Sequence, residues 1–159
     1  MKSSDIIDLL KLKHRKDVCV EQCKIKPSWD GSRNRLGRGI DSPIMDLWVL
    51  PRKWKGGEPI CYEVKVSRSD LFHDHKFPDY WKACNWFYFA VPNGMVKPEE
   101  MERFPPQCGF IEANSKGTGM TVRRKPCFMA AEIDPMVYRY VLMWRTEIVK
   151  SRFREIQRM

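Results

Sequence analysis

The sequence has no apolar run long enough to cross a bilayer as a helix. It also has no internal repeat and no low-complexity tract, which excludes a solenoid or a composition-driven linker. The opening residues Met1-Lys2-Ser3-Ser4-Asp5 lack the apolar stretch and cleavage site of an export signal, so a cytoplasmic protein is expected. Metal-ligand patterns of the zinc or iron–sulfur kind are missing. Cys19-x3-Cys23 has no second pair, and His73 and His75, two apart, would point away from each other on a helix. Six cysteines are even in number, but Cys61 and Cys84 sit inside apolar runs, so reduced and mostly buried thiols are expected. Acids are scarce: 20 Asp and Glu face 29 Lys and Arg, a net charge of +9. That balance favours polyanionic partners, nucleic acid before a membrane surface.

What is present fits one domain spanning residues 1–159, with 43% hydrophobic and 31% charged residues and enough chain for a real core. Residues 4–14 read as a short helix with Ser4 as N-cap, and residues 17–25 as a strand with Val18 and Val20 on one side. Residues 26–43 form a loop rich in Pro, Gly, Ser and Arg, suited either to a backbone-contacting arm or to a solvated connection. Strands follow at residues 44–50 and 60–66. A capping box, Ser67-Arg68-Ser69-Asp70, then opens a helix running towards Lys76, with a second piece from Pro78 to about residue 85. Trp86 to Val91 is the continuous apolar run of a strand buried on both faces. Short strands at 108–113 and 120–124 precede a long helix from Pro135 to about residue 157, whose Val137, Val141, Trp144 and Ile148 share one face. This order of elements predicts an α/β fold, a mixed sheet flanked by helices with a crossover connection.

The chemistry concentrates at two strands. In Ile60–Val66 strand alternation puts Tyr62, Val64 and Val66 on one face and Cys61, Glu63 and Lys65 on the other. An acid and an amine in an apolar strand are costly to bury without partners. Asp46, which begins the apolar run Leu47-Trp48-Val49-Leu50, provides one. Asp46 and Glu63 could together hold Mg²⁺ or Mn²⁺, with Lys65 beside them to steady an attacking water or a developing negative charge, as a metal-dependent phosphodiesterase requires. The alternative is a solvated edge pair at Glu63 and Lys65, with Asp46 a turn acid. Asp41 rivals Asp46 but sits in the loop and opens no apolar run.

An acid opening one strand, an ExK on the next and a capped helix directly after it resembles the PD-(D/E)xK, or restriction-endonuclease-like, nuclease superfamily, over about residues 4–91. That resemblance implies metal binding by Asp46 and Glu63 and assistance of attack by Lys65. The chain departs from the pattern in having Met45, not Pro, before Asp46. Downstream, Glu63-Val-Lys65-Val-Ser67, Asp70-Leu-Phe72, Asp74-His-Lys76-Phe-Pro78-Asp-Tyr80, Cys84, Phe87-Tyr-Phe-Ala-Val-Pro92, Cys108-Gly109-Phe110-Ile111 and Val122-Arg123-Arg124 are similar to the MmcB-type family of bacterial DNA repair proteins.

Three accessory residues follow from these resemblances. Lys76 and Tyr80 stand four apart, as a Gln and Tyr do beside the active site of some superfamily members; a surface lysine and a packing tyrosine are the alternative. The MmcB-like pattern favours Glu21 as a further acid, whereas other nuclease relatives would draw it from the first helix, at Asp5 or Asp8. The basic loop residues Arg33, Arg35 and Arg38 are expected to track phosphates. The expectation is a Mg²⁺- or Mn²⁺-dependent deoxyribonuclease in DNA repair or mobile-element DNA metabolism, binding DNA, with no membrane partner and with a homodimer allowed by its relatives. The alternative is a non-catalytic DNA-binding protein of nuclease-like fold.

Overall fold

Six apolar segments of five to seven residues pair side by side into one mixed sheet, in the same order as they occur in the chain. The computed structural model describes residues 1–24 and 43–145, the last two by backbone only. The elements are α1 (Ser3–Lys13), β1 (Val18–Lys24), β2 (Ile44–Leu50), β3 (Ile60–Val64), α2 (Arg68–Phe72), α3 (Phe77–Tyr80), β4 (Trp86–Pro92), α4 (Pro98–Met101), β5 (Cys108–Ala113), β6 (Met120–Arg124) and α5 (Pro135–Tyr140), which continues as a π-helical turn, Val141–Arg145. β1, β2 and β3 run antiparallel, β3, β4 and β5 parallel, and β6 antiparallel to β5. Each parallel step needs a crossover: α2 and α3 make the first, α4 the second. The expected α/β fold with a mixed sheet and flanking helices is the fold observed.

The two faces of the sheet carry separate cores. On one, Leu71, Tyr80, Met101 and Val137 of the later helices pack on Cys61, Phe87, Phe89 and Phe110. Phe89 lies at the centre of an aromatic cluster, with ring centroids 5.0–5.6 Å from Phe87, Phe77, Phe104 and Phe110. On the other, Ile6 and Leu10 of α1 cover Leu47, Val49, Tyr62, Val64, Ala90 and Ile111. The predicted split of β3, Cys61 and Glu63 one way and Tyr62 and Val64 the other, is therefore present.

Regular alternation fails in β1 and β2, and the register of β6 against β5 also shifts, between Phe110 and Ile111. Val20 and Cys23, an odd number apart, both reach the first core, as do Met45 and Trp48. The break lies at Gln22, whose φ of 49° puts a non-glycine residue in the left-handed region, between the pairs Glu21↔Leu47 and Cys23↔Met45. Asp46 stands in the same interval on β2.

Several elements differ from the sequence expectation, among them the strand expected at residues 60–66, which ends at Val64, and the piece expected from Pro78 to about residue 85, which ends at Tyr80. α1 begins one residue early, with Lys2 and not Ser4 at the N-cap position, and the Asp5 carboxylate accepts the Lys2 backbone N–H at 2.7 Å. The helix after the ExK stops at Phe72: the His73 ring Nδ1 donates to the Ser69 carbonyl (2.8 Å), and the Asp74 carboxylate accepts from Lys76 N–H (2.8 Å), turning the chain before α3 starts at Phe77 with Pro78 in its first turn. The proline-rich stretch contains α4, with Pro98 in its first turn and the Glu100 carboxylate on Lys97 N–H (2.9 Å). In the last helix Val137 and Val141 are buried as expected, but helical geometry widens to a π turn from Val141, and residues 146–157 lie outside the described residues.

Arg124 of the basic strand is turned inward. Its guanidinium donates to the carbonyls of Cys108 (2.6 and 3.0 Å) and Pro105 (2.9 Å) and lies over the Phe110 ring, 5.2 Å from its centroid. It ties the α4–β5 connection to β6. Arg124→Met, which keeps the bulk of the stem but removes every donor, is expected to lower stability by about 2 kcal/mol, read by urea unfolding, because the carbonyls it serves lose their charged partner.

Candidate functional site

β2 and β3 bring the two acids of the sequence pattern together because they are antiparallel and in register at Leu47↔Tyr62, one residue from each acid. The Asp46 carboxylate is held on both sides. Its Oδ2 accepts the Val64 backbone N–H at 2.8 Å, and its Oδ1 accepts from the Gln22 side-chain amide at 3.1 Å. The left-handed residue Gln22 thus sits directly against the acid near the start of β2.

Glu63 is 7% exposed. Its Oε1 accepts from the Lys65 ammonium at 3.0 Å, while its Oε2 is buried with no hydrogen-bond partner among the described residues. Burial, and secondarily the charge of Asp46, push its carboxyl up to about 7, against the pull of Lys65. Burial works to lower the Lys65 pKa, but its hydrogen bonds to Asp74 and Glu63, and their charges, outweigh it and hold the ammonium above its ordinary value. The closer of its partners is Asp74 Oδ2, at 2.7 Å.

These groups open into a cleft of about 400 Å³ lined by Glu63, Lys65, Asp74, Lys76 and Tyr80 among others. The hydroxyl of Tyr80 is raised by burial first and by the charge of Glu63 second. So the structure gathers Glu63, Lys65, Lys76 and Tyr80 around one cleft, even though Lys76 precedes α3 and Tyr80 ends it, with Asp46 near enough to Glu63 to raise its carboxyl but not itself lining the cleft.

Other sequence candidates fall elsewhere. Glu21 stands away from the cleft, paired with Lys11 of α1 at 2.5 Å; its neighbour Gln22 makes the contact to Asp46 instead. Asp5 caps its own helix, and Asp8 lies with it on α1, which covers the opposite face of the sheet. Arg33, Arg35 and Arg38, with Asp41, lie outside the described residues, in the segment between Lys24 and Pro43. Lys24 and Ile44, which flank it, pair at the same end of the sheet as Asp46.

Residues 45–140 match the family described as DNA repair protein MmcB-like. The chain belongs to the MmcB-like family. The match covers Asp46, Glu63, Lys65, Asp74 and Tyr80, so all of the assembled cleft lies inside the family region, and a role in DNA repair with DNA as partner follows from membership. A protein of unknown function from Silicibacter pomeroyi, SPO1766, has a solved structure similar to this chain: TM-score 0.55 and 20% identity, over 96% of this chain and 85% of that one. At that identity the likeness shows a shared fold. No curated protein matches the sequence.

Among the described residues no three His, Cys, Asp or Glu side chains are grouped so as to hold a metal ion. That does not count against Mg²⁺ at this MmcB-like site, since Mg²⁺ is commonly held by one or two carboxylates together with waters and substrate phosphates. The orphaned Glu63 Oε2 and the repulsion from Asp46 are what a cation between the two carboxylates would relieve, so the residues present fit one.

One contributor carried no site role in the sequence. Asp74 stood only as one residue of the MmcB-type motif, yet it is the closer partner of Lys65; its signal, an acid two residues before a lysine and four before a proline, describes an Asx-type turn more than a site.

Proposed function

We propose that this MmcB-like chain is a Mg²⁺- or Mn²⁺-dependent DNA nuclease of the PD-(D/E)xK, restriction-endonuclease-like kind, acting in DNA repair. The observation that carries the reading is the Glu63 carboxylate, buried beside Asp46 with one oxygen unpartnered and Lys65 fixed at the other. A fold-stabilising ion pair would have satisfied both oxygens or left them in water.

Asp46 and Glu63 would hold the cation, which when bound supplies charge neutralisation at the phosphate and a more acidic water. Lys65 would act as a charge. An ammonium held above its ordinary pKa does not accept a proton, so its part is to orient the nucleophile and offset the charge that builds on the phosphate oxygens. Asp74 holds the Lys65 amine over the cleft, and Lys76 at the rim would contact a flanking phosphate. Gln22 steadies Asp46 from β1.

The test is cleavage of labelled single-stranded, duplex, flapped and four-way-junction DNA with Mg²⁺ or Mn²⁺, beside an EDTA control. Cation-dependent cutting of one or more substrates is expected. Salt-sensitive binding without cutting in any lane would replace the nuclease by a non-catalytic DNA-binding protein that keeps the fold.

A further inference from the structure

On the sheet face opposite Glu63 and Lys65 there is a second cleft, of about 430 Å³, whose floor is aromatic and whose rim is basic. Tyr62 and Tyr88, neighbours across the parallel β3–β4 pair, lie nearly parallel with centroids 5.5 Å apart. Trp86 extends this floor, and Lys13 and Lys125 stand exposed at its edge. No lining residue is an acid. Among the described residues neither lysine is held in an ion pair.

The floor is built to stay in place. His14, 8% exposed, is held at Nδ1 by Asp17 (2.8 Å) and meets the Tyr62 hydroxyl at Nε2 (2.7 Å). A carboxylate only accepts, so the Nδ1 proton of the ring points at Asp17 and leaves Nε2 to the tyrosine hydroxyl. Asp17 is itself anchored by the Arg52 backbone N–H at 3.0 Å. From below, Gly109 makes room for the wall: a Cβ there would stand 2.6 Å from Tyr88 Cδ1 and 2.7 Å from Pro126 Cδ. The missing side chain lets the Tyr88 ring and Pro126 close on β5.

We infer that this cleft is a second nucleic-acid site that takes one unpaired nucleotide, its base on the Tyr88–Trp86 floor and its phosphate between Lys13 and Lys125. Aromatic side chains accept any base face, two unpaired amines suit a phosphate, and the volume falls in the range of small-ligand sites. The acid-rich cleft on the other face needs a cation before it can accept a phosphate. This one does not, so its binding persists when divalent ions are removed. The inference rests on the nucleic-acid role proposed above but not on turnover.

The experiment is fluorescence anisotropy of a labelled oligothymidylate of four nucleotides with the full chain in EDTA. The parent and Lys65→Ala are expected to bind equally. Lys13→Ala/Lys125→Ala should weaken binding about tenfold or more and flatten the dependence of log K on log salt by about 0.7, the value for one phosphate contact on a single strand. Tyr88→Leu, checked for native circular dichroism, should weaken binding about tenfold with the salt slope unchanged. Competition by thymidine monophosphate at concentrations similar to the oligonucleotide would assign the site to a free nucleotide; competition by oligonucleotides alone would assign it to a strand. Absence of binding by the parent in EDTA, or unchanged binding by the double-lysine variant, overturns the inference. A parent that binds in this way but cuts no substrate leaves the cleft standing and removes only the nuclease reading.

Discussion

Lys65→Ala is expected to reduce cation-dependent DNA cleavage about a thousandfold while DNA binding and the circular dichroism spectrum stay those of the parent. The magnitude is that of removing one preorganised positive group from a site where charge develops in the transition state. The geometry makes the loss specific. Lys65 reaches the cleft because β3 ends at Val64 while the Lys65 N–H still bonds the Ala90 carbonyl at 3.0 Å, so its amine leaves the sheet edge in a fixed direction. Asp74 then fixes the amine itself. Asp74→Asn should accordingly lower cleavage less than Lys65→Ala, since an amide can still accept from the amine while losing the ion pair. Quenched single-turnover assays on whichever DNA the parent cuts measure both. Equal cleavage by parent and Lys65→Ala would sink the assignment of Lys65 to the reaction.

Glu63→Gln is expected to stabilise the protein in the absence of divalent cations above pH 7, by about 3 kcal/mol. The carboxyl keeps its proton up to about pH 7 in the folded chain, through burial and the adjacent Asp46, but only to its ordinary value of 4.5 when unfolded. Below pH 4.5 both states hold the proton and Glu63 adds no penalty. As pH rises from 4.5 to 7 the unfolded chain releases it while the folded chain does not, so stability falls across that window and stays low above it. Urea unfolding in EDTA should therefore show the parent losing about 2 kcal/mol more than Glu63→Gln between pH 5 and pH 8. Added Mg²⁺ should recover part of this for the parent only, by mass action on a site that the variant lacks. Parallel pH profiles for the two proteins would contradict both the buried charge and its purpose. A residue that costs stability and is kept is expected where function, not folding, sets the requirement.

Much of the fold was legible because strand and helix periods are local. Ile44–Leu50 and Cys108–Ala113 were readable to the residue from an apolar run bounded by proline or turn residues, and the opposite facing of Tyr62 and Glu63 from alternation alone. What was not legible were features that depend on one residue departing from the rule of its segment. Gln22 adopts φ 49°, which no propensity predicts, and thereby swaps the face that the end of β1 presents. The sequence reading extended one helix to Lys76 because nothing local announces that the Asp74 side chain will take the Lys76 N–H. Arg124 read as a basic strand residue, and only the converging carbonyls of Pro105 and Cys108 turn it into an internal brace.

By itself the sequence determined the class of fold, the pair of strands that carry Asp46, Glu63 and Lys65, the basic surplus and the family to which residues 45–140 belong. The first two follow from patterns within a dozen residues, where the period of the backbone dictates which side chains share a face, and the last two from sums and motifs along the chain. Tertiary structure alone decided that Glu63 keeps an unpartnered oxygen, that Lys65 leans on Asp74, that Glu21 yields to Gln22, and that a basic aromatic cleft lies on the far side of the sheet. Each of those depends on desolvation or on hydrogen bonds between segments far apart in the chain. Such energies belong to the assembled surroundings of a group, not to its neighbours in sequence.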